Sequence, residues 1–187
     1  MKRIFIEVEI PDHVRQFAAE YIGVLRKIEC GSRVGWAQPA KMHLTLRFLG
    51  EIDDALIAKV NESVITAANV RSSFRLTLAG TGIFPNKNRP KVLWLGIDDR
   101  TNDLLRLRND LDESLERIGF EREKRGFRPH LTIARLRETK GTTRLVETHV
   151  KTEFEPIKFG VSEIAVMVSR LERAGSVYTK LFSSKLS

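Results

Sequence analysis

Two short segments of the sequence place a histidine and a threonine two residues apart, with apolar residues next to them. The first segment carries His43 and Thr45, and the second carries His130 and Thr132. Side chains alternate between the two faces of an extended strand, so each segment would present an imidazole and a hydroxyl on one face and apolar side chains on the other. Two such strands packed together would form a polar site with two histidines and two hydroxyls.

Two imidazoles that face one cleft are suited to acid–base catalysis at phosphorus. Displacement at a phosphate needs a base that takes a proton from the attacking oxygen and an acid that protonates the leaving oxygen. Because the pKa of free histidine is about 6.5, one ring can be neutral while the other is protonated near neutral pH. The hydroxyls of Thr45 and Thr132 would donate hydrogen bonds to the non-bridging oxygens of the phosphate. This scheme needs neither a metal ion nor an organic cofactor.

Other kinds of site fit the sequence less well. A zinc site would need a third protein ligand, yet neither segment carries a carboxylate or a cysteine on its histidine face. His13 and His149 show no spacing that would supply one. The sequence has no Gly-x-Ser-x-Gly motif of a serine hydrolase, and its Gly80 and Gly82 do not lie between a strand and a helix, as a phosphate-binding loop requires.

Hydrophobic periodicity predicts the elements that position the two segments. It predicts strands at about 3–9, 41–49, 73–79, 91–97, 128–136, 158–169 and 176–183, helices that begin near residues 12, 53 and 102, and a short helix at 142–150. Residues 31–39, which carry Trp36, and residues 80–90 are predicted to be loops. The order strand, helix, histidine-bearing strand occurs twice, which indicates an internal duplication of one α+β unit. We therefore predict a single domain, residues 1–187, whose two lobes bring both histidines to one cleft.

Positive charge is concentrated around the second segment. The chain has a net charge of +8, and residues 122–144 include only two acidic side chains, Glu123 and Glu138. The basic residues in this range are Arg122, Lys124, Arg125, Arg128, Arg135, Arg137, Lys140 and Arg144. A positive field next to a site that handles phosphate indicates an anionic partner such as nucleic acid.

Cys30 is the only cysteine of the sequence, so an intramolecular disulfide and a cysteine-rich metal cluster are excluded. We interpret Cys30 as a buried residue without a chemical role. No stretch of the sequence has the roughly 18 to 20 consecutive apolar residues that a membrane-spanning helix needs. We therefore expect a cytoplasmic protein that does not bind membranes, and we expect it to be a monomer.

The blocks around the two segments resemble the two-histidine (2H) phosphoesterase superfamily, and more closely its branch of RNA 2′,3′-cyclic phosphodiesterases, also described as 2′-5′ RNA ligases. The similarity extends nearly from end to end of the chain. The similar blocks are Arg3–Ile6, Met42–Glu51, Phe84-Pro85, Arg89-Pro90, Val92–Trp94, Arg128–Arg135, Ser169–Leu171, Gly175 and Tyr178.

This resemblance implies a bilobal α+β fold with two antiparallel sheets that line a central cleft and helices packed outside. It also implies metal-free hydrolysis of a 2′,3′-cyclic phosphate to a 2′-phosphate, with RNA ends or small cyclic nucleotides as substrates. His130 would be the base that activates water, and His43 would be the acid that protonates the 3′ oxygen. Arg135 and Arg128 would contribute to substrate binding, together with the two threonines.

Two features of the sequence fit this pattern poorly. Strict alternation along a strand places Arg135 on the face opposite the histidine of its segment, whereas it places Arg47 on the same face as His43. A bend after Thr132 would return Arg135 to the site. Glu7 stands where the family usually has a small residue, and its carboxylate would either lie near the site and alter substrate preference or face solvent.

Two other functions remain open from the sequence. Ligation would join a 2′,3′-cyclic phosphate end to a 5′-hydroxyl by the reverse displacement, with the same groups. An RNA-binding module without catalysis would use the basic residues, but it would have no need of two paired His-x-Thr segments.

Overall fold

The structure is a computed structural model that describes residues 1–28, 33–124, 126–172 and 175–187. Cys30 and Arg125 lie outside the described residues.

Four α-helices are interspersed among nine strands in the described residues, and the last three elements are strands. The elements are β1 (Lys2–Val8), α1 (Asp12–Arg26), β2 (Val34–Trp36), β3 (Leu44–Ile52), α2 (Ile57–Asn69), β4 (Phe74–Phe84), β5 (Val92–Asp98), α3 (Asp103–Glu116), β6 (His130–Leu136), α4 (Thr143–Lys151), β7 (Ile157–Val161), β8 (Glu163–Glu172) and β9 (Gly175–Lys185). No helix within these described ranges is long and apolar enough to cross a bilayer.

The strands form two antiparallel sheets. The first has the order β3-β1-β8-β9 and the second has the order β2-β6-β5-β4-β7. Helix α2 packs against β8 and β9, whereas α4 packs against β4. The buried positions of α1 recur at the spacing of a helical stripe, and they are Val14, Ala18, Tyr21, Ile22 and Leu25. The predicted α+β fold with two antiparallel sheets is thereby confirmed.

The duplication inferred from the sequence is visible in how the strands are arranged. In the first sheet β1 lies beside the histidine-bearing strand β3, and in the second sheet β5 lies beside the histidine-bearing strand β6. A helix follows the inner strand in each case, α1 after β1 and α3 after β5. Strands β3 and β6 approach each other where the two sheets meet. The cleft therefore has one histidine-bearing strand on each side.

Three segments differ from the predicted elements. Val34–Trp36, predicted to be a loop, forms β2, because its backbone pairs with the exposed edge of β6. Residues 80–84, also predicted to be a loop, continue β4: the pairing with β5 shifts between Leu78 and Thr81, where Gly80 has a φ of +71° that favours glycine. The single strand predicted at 158–169 is interrupted at Ser162 and forms β7 and β8, which belong to different sheets.

Candidate active site

Strand β6 contains a β-bulge that settles where Arg135 lies. Thr132 pairs with Trp94 of β5, but the next pair on that ladder is Ala134 with Leu93, so Ile133 is an extra residue. A bulge of this kind shifts the alternation of side chains by one position. Arg135 consequently returns to the side of the strand that carries Thr132, and its side chain is exposed whereas its neighbour Ala134 is buried. This bulge is a bend of the kind that would return Arg135 to the site.

Strand β3 contains the same bulge at the corresponding position. Thr45 pairs with Glu7 of β1, and the next pair is Arg47 with Ile6, so Leu46 is the extra residue. The prediction that Arg47 shares the face of His43 is therefore wrong. The bulge turns Arg47 into the interior instead.

Arg47 is part of a buried ionic cluster. It is only 7% exposed, and its Nε lies 3.4 Å from Oδ1 of Asp112 in α3. Its guanidinium also donates to the backbone carbonyl of Glu121 and lies 3.6 Å from Oε2 of Glu123. The position that corresponds to Arg135 is taken by Phe48, which is 64% exposed and packs against Phe5 with ring centroids 5.9 Å apart.

Both histidines are held by the same hydrogen bond to their own backbone. Nδ1 of His43 donates to the carbonyl of Lys41 over 2.9 Å, and Nδ1 of His130 donates to the carbonyl of Arg128 over 2.7 Å. Because a carbonyl oxygen only accepts hydrogen bonds, Nδ1 carries the hydrogen of the neutral ring and Nε2 carries the lone pair. Each imidazole can therefore take up or release a proton at Nε2 without losing the bond that orients it.

Aromatic rings pack around each imidazole. His43 contacts Phe5 and Tyr178, with ring centroids 4.7 Å and 5.1 Å away, and these two rings also contact each other. His130 is flanked by Phe84 at 4.9 Å and, more distantly, by Trp94 of β5 at 6.0 Å. These contacts restrict the rotation of the imidazoles and remove water from them.

The surroundings of the imidazoles disfavour their charged forms. Burial lowers the pKa of His43 and of His130 below the usual value, although the hydrogen bonds to the backbone carbonyls oppose this effect. The positive charge of Arg135 lowers the pKa of both histidines further, and His130 adds to the effect on His43. Arg135 and both imidazoles are therefore close enough to influence one another electrostatically.

Glu7 lies at the base of this site. Its side chain is 8% exposed, and its Oε2 is 3.7 Å from Nδ1 of His43. Burial, and to a lesser degree the charge of Glu9, raises the pKa of Glu7 to about 7. Of the two positions considered for this carboxylate from the sequence, the structure therefore places it beside the site.

The remaining candidates take the following places. Thr45 and Thr132 are half-buried on the strand faces of the histidines, whereas the side chain of Arg128 is exposed and only its carbonyl contacts His130. That Thr45, Thr132, Arg128 and Arg135 bind substrate stays a prediction. Within the described ranges, no three His, Cys, Asp or Glu side chains are grouped so that they could hold a metal ion.

The other two described histidines lie elsewhere. His13 is exposed on α1, with Nε2 3.4 Å from the carbonyl of Lys158. His149 is fully buried in α4, where Nδ1 is 3.0 Å from the hydroxyl of Tyr21 and Nε2 is 3.1 Å from the carbonyl of Gly82. Its contacts connect α4 and α1 to β4, which is a role in folding.

The aromatic residues around the imidazoles are not predicted to be part of the site from the sequence. From the sequence, Phe5, Phe84, Trp94 and Tyr178 are only parts of the similar blocks. A signal was present for Phe5, because it alternates with Ile4 and Ile6 in a strand whose other face is apolar. Their contact with the imidazoles depends on which strands pair, and that information is not local to either segment.

Comparison with known proteins gives matches over most of the chain. A family model described as the 2′-5′ RNA ligase superfamily matches residues 11–173. An RNA 2′,3′-cyclic phosphodiesterase of Aeropyrum pernix is 35% identical over 147 residues, which are 76% of this chain and 81% of that protein. An RNA 2′,3′-cyclic phosphodiesterase of Thermotoga maritima is 33% identical over 181 residues, 96% of this chain and 93% of that protein.

Solved structures share the fold. The crystal structure of TT0787 of Thermus thermophilus superposes with a TM-score of 0.81 and 27% identity, covering 98% of this chain and 97% of that one. The crystal structure of Escherichia coli LigT complexed with 3′-AMP superposes with a TM-score of 0.76 and 24% identity, covering 100% of this chain and 98% of that one. The latter similarity is one of fold.

Gly82 makes the position of Trp94 possible, and this can be tested. A Cβ at Gly82 would lie 2.0 Å from the indole ring. Since Trp94 packs near His130, we expect Gly82→Ala to move the indole, to shift the imidazole resonances of His130 in NMR spectra, and to lower the free energy of unfolding by about 1–3 kcal/mol.

The matched control is Gly160→Ala in β7 of the same sheet, where nothing lies within 4 Å of the added Cβ. We expect its free energy of unfolding to stay within about 0.5 kcal/mol of the parent protein. If chemical denaturation gave the same change in the free energy of unfolding for both substitutions, the packing of Trp94 against Gly82 would not be what holds the indole in place.

Proposed function

The chain belongs to the 2′-5′ RNA ligase superfamily, and on that premise we propose that it hydrolyses 2′,3′-cyclic phosphate ends of RNA to 2′-phosphates. The relatives named RNA 2′,3′-cyclic phosphodiesterase support this activity. The observation that carries the proposal is the pair of imidazoles on β3 and β6, each oriented through Nδ1 by a backbone carbonyl, with the Nε2 lone pair left for proton transfer.

In the proposed reaction, one bond to phosphorus forms as another breaks. Nε2 of neutral His130 takes a proton from water as the water oxygen attacks the phosphorus. The bond from phosphorus to the 3′ oxygen breaks, and Nε2 of protonated His43 gives its proton to that oxygen. The products are a 2′-phosphate and a 3′-hydroxyl, and proton exchange with solvent returns both imidazoles to their starting forms.

The negative charge on the phosphoryl oxygens needs donors in the transition state. Thr45 and Thr132 lie two residues after the histidines on the same strand faces, which suits them to donate to the two non-bridging oxygens. The exposed guanidinium of Arg135, returned to this side of β6 by the bulge, would add a positive charge. The residue of β3 that corresponds to Arg135 is Phe48, so Arg135 is the one cation that these two corresponding positions provide for the phosphate.

The histidine pair gives the first test of the mechanism. We expect His43→Ala and His130→Ala each to lower kcat by about 10² to 10⁴, the usual effect of one positioned acid or base. The double variant should be little worse than either single one, because the two groups act in one concerted step. Rates are to be measured with a nucleoside 2′,3′-cyclic phosphate across a range of pH.

The pH profile separates the two roles. His130→Ala should abolish the acidic limb of the bell, which reflects loss of the base on protonation, and His43→Ala should abolish the alkaline limb. Thr45→Val and Thr132→Val should cost less than either histidine, whereas His13→Ala, an exposed histidine of α1, should leave turnover unchanged. Turnover near that of the parent protein after removal of either His43 or His130 would refute the mechanism.

Independence from metal is the second test. Because the proposal assigns both proton transfers to imidazoles, hydrolysis should persist after dialysis against EDTA. A complete loss of activity in EDTA that zinc or manganese restores would contradict the proposed roles of the two histidines.

The basic residues before β6 provide a test of RNA as the substrate. Arg122 is 53% exposed, with Nε 3.7 Å from Oε1 of Glu116, and Lys124 is also exposed. We expect Arg122→Ala with Lys124→Ala to weaken oligonucleotide binding more than mononucleotide binding and to reduce the salt dependence of the former, because a longer anion contacts more of the basic surface.

The control for charge is Lys59→Ala with Arg75→Ala, which removes two exposed cations from α2 and from the start of β4. It should have a smaller effect on oligonucleotide binding. Equal losses for mononucleotides and oligonucleotides in the Arg122 and Lys124 variant would show that these residues do not guide RNA to the site.

A further inference from the structure

The two halves of the cleft differ at one pair of corresponding positions, Glu7 and Trp94. Glu7 of β1 pairs with Thr45, and Trp94 of β5 pairs with Thr132, so each lies beside the threonine of a histidine-bearing strand. Where His130 has an indole nearby, His43 has a carboxylate whose Oε2 is 3.7 Å from Nδ1. The two halves of the site therefore differ in charge, because a carboxylate lies beside the imidazole of His43 and an indole lies near the imidazole of His130.

We propose that Glu7 is a positioning residue that acts through His43. The carboxylate of Glu7 favours the protonated, charged form of His43, which is the form that a general acid needs. This inference rests on the proposed function, in which His43 is the acid and His130 the base. Glu7 acts through His43 and needs no contact with the substrate.

The proposal follows from what burial does to a general acid. Burial lowers the pKa of both imidazoles, which suits His130, because a base must be neutral before it can accept a proton. The same effect works against His43, because an acid must carry its proton before it can donate it. A carboxylate within about 4–6 Å favours the charged form of its neighbour by roughly one to three pKa units. Glu7 lies within that distance of His43 and of the positive charge that the imidazolium would carry.

Glu7 and His43 are best considered as one pair that shares a proton. Burial raises the pKa of Glu7 to about 7 and lowers the pKa of His43, so the carboxyl and the imidazole compete for one proton. A neutral carboxyl beside a neutral ring and a carboxylate beside an imidazolium hold the same number of protons. In the proposed acid form the shared proton lies on Nε2 of His43, and the carboxylate of Glu7, 3.7 Å from Nδ1, stabilises the imidazolium.

Other charges near Glu7 are largely paired among themselves. On the neighbouring strand β8 its partner is the apolar Ala165. Nζ of Lys180 in β9 lies 3.0 Å from Glu9 and 3.2 Å from Glu163. Arg15 of α1 contacts Glu9 over 3.5 Å and Asp12 over 3.2 Å. The charged groups that influence Glu7 or His43 are Glu9, Arg15, Lys180, Arg135 and His130.

The sign of each influence can be stated. Glu9 raises the pKa of Glu7, whereas Lys180 and Arg15 lower it. Arg135 and His130 both lower the pKa of His43. The carbonyl of Lys41 opposes the effect of burial on the pKa of His43. In the proposal, the carboxylate of Glu7, 3.7 Å from Nδ1, acts in the same direction.

The test replaces Glu7 with an isosteric neutral residue. In Glu7→Gln the imidazole of His43 loses the carboxylate and keeps its hydrogen bond to Lys41. We expect the pKa of His43, measured by NMR titration of its ring protons in the free protein, to fall so that its proton affinity drops about tenfold or more. The alkaline limb of the rate profile for 2′,3′-cyclic phosphate hydrolysis should move to lower pH by the same factor, and the acidic limb, which reports His130, should stay.

The matched control is Glu51→Gln, which removes an exposed carboxylate from the far end of β3. It makes the same change in net charge and should leave the titration of His43 where it is. Glu7→Ala is the second variant, in case the glutamine disturbs the cleft, and it should lower the proton affinity of His43 in the same direction. A purely structural role for Glu7 would lower stability or turnover without moving the alkaline limb.

The outcomes separate this inference from the proposed function. A His43 pKa that is unchanged in both Glu7 variants overturns the inference, even when the protein hydrolyses cyclic phosphates. A His43 pKa that falls in a protein without that activity supports the coupling and refutes the proposed function. A fall that is accompanied by the predicted movement of the alkaline limb supports both.

Discussion

The site depends on a β-bulge three residues after each histidine, at Leu46 in β3 and at Ile133 in β6. A regular strand would alternate its side chains without interruption, and the residue five positions after each histidine would then point away from the cleft. The extra residue turns that position back, while the apolar residues around it remain in the core. Because the same bulge occurs at the same position in both strands, the two halves of the duplicated unit form similar sides of one cleft. The two sides differ chemically, since one carries Phe48 where the other carries Arg135.

Asymmetry within a duplicated frame is also what acid–base catalysis requires. Two imidazoles held alike, each through Nδ1 by a carbonyl and each surrounded by aromatic rings, would have similar proton affinities and would compete for the same role. A concerted displacement needs one neutral ring and one charged ring at the same pH. A local charge is the most economical means of separating them, because a carboxylate behind one ring acts over a short distance and leaves the backbone geometry unchanged. Glu7 and Trp94, at corresponding positions, provide that difference.

The sequence was sufficient to predict the motif, the duplication and the fold, for reasons that are local. The alternation in His43–Leu46 and in His130–Ile133 requires strands, and the helical stripes between them require an α+β unit that occurs twice. The sequence was insufficient for features that depend on a partner strand. Val34–Trp36 becomes a strand only because β6 offers an edge, and the direction of Arg47 depends on the register with β1. The carboxylate of Glu7 was recognised as unusual, but its distance from an imidazole follows from strand pairing and could not be predicted.

The inward turn of Arg47 has a consequence for how the two walls are held together. Through Asp112 and the carbonyl of Glu121, a residue of the first histidine-bearing strand contacts α3 and the segment that leads to the second one. Burial raises the pKa of Asp112 although Arg47 and Arg108 lower it, so desolvation outweighs the attraction of its partners. A buried cluster of this kind adds little net stability compared with apolar packing, but removal of one member leaves an uncompensated charge. Its contribution is then to the geometry, because the contacts of Arg47 with Asp112 and with the carbonyl of Glu121 connect β3 to α3 and to the chain that follows α3.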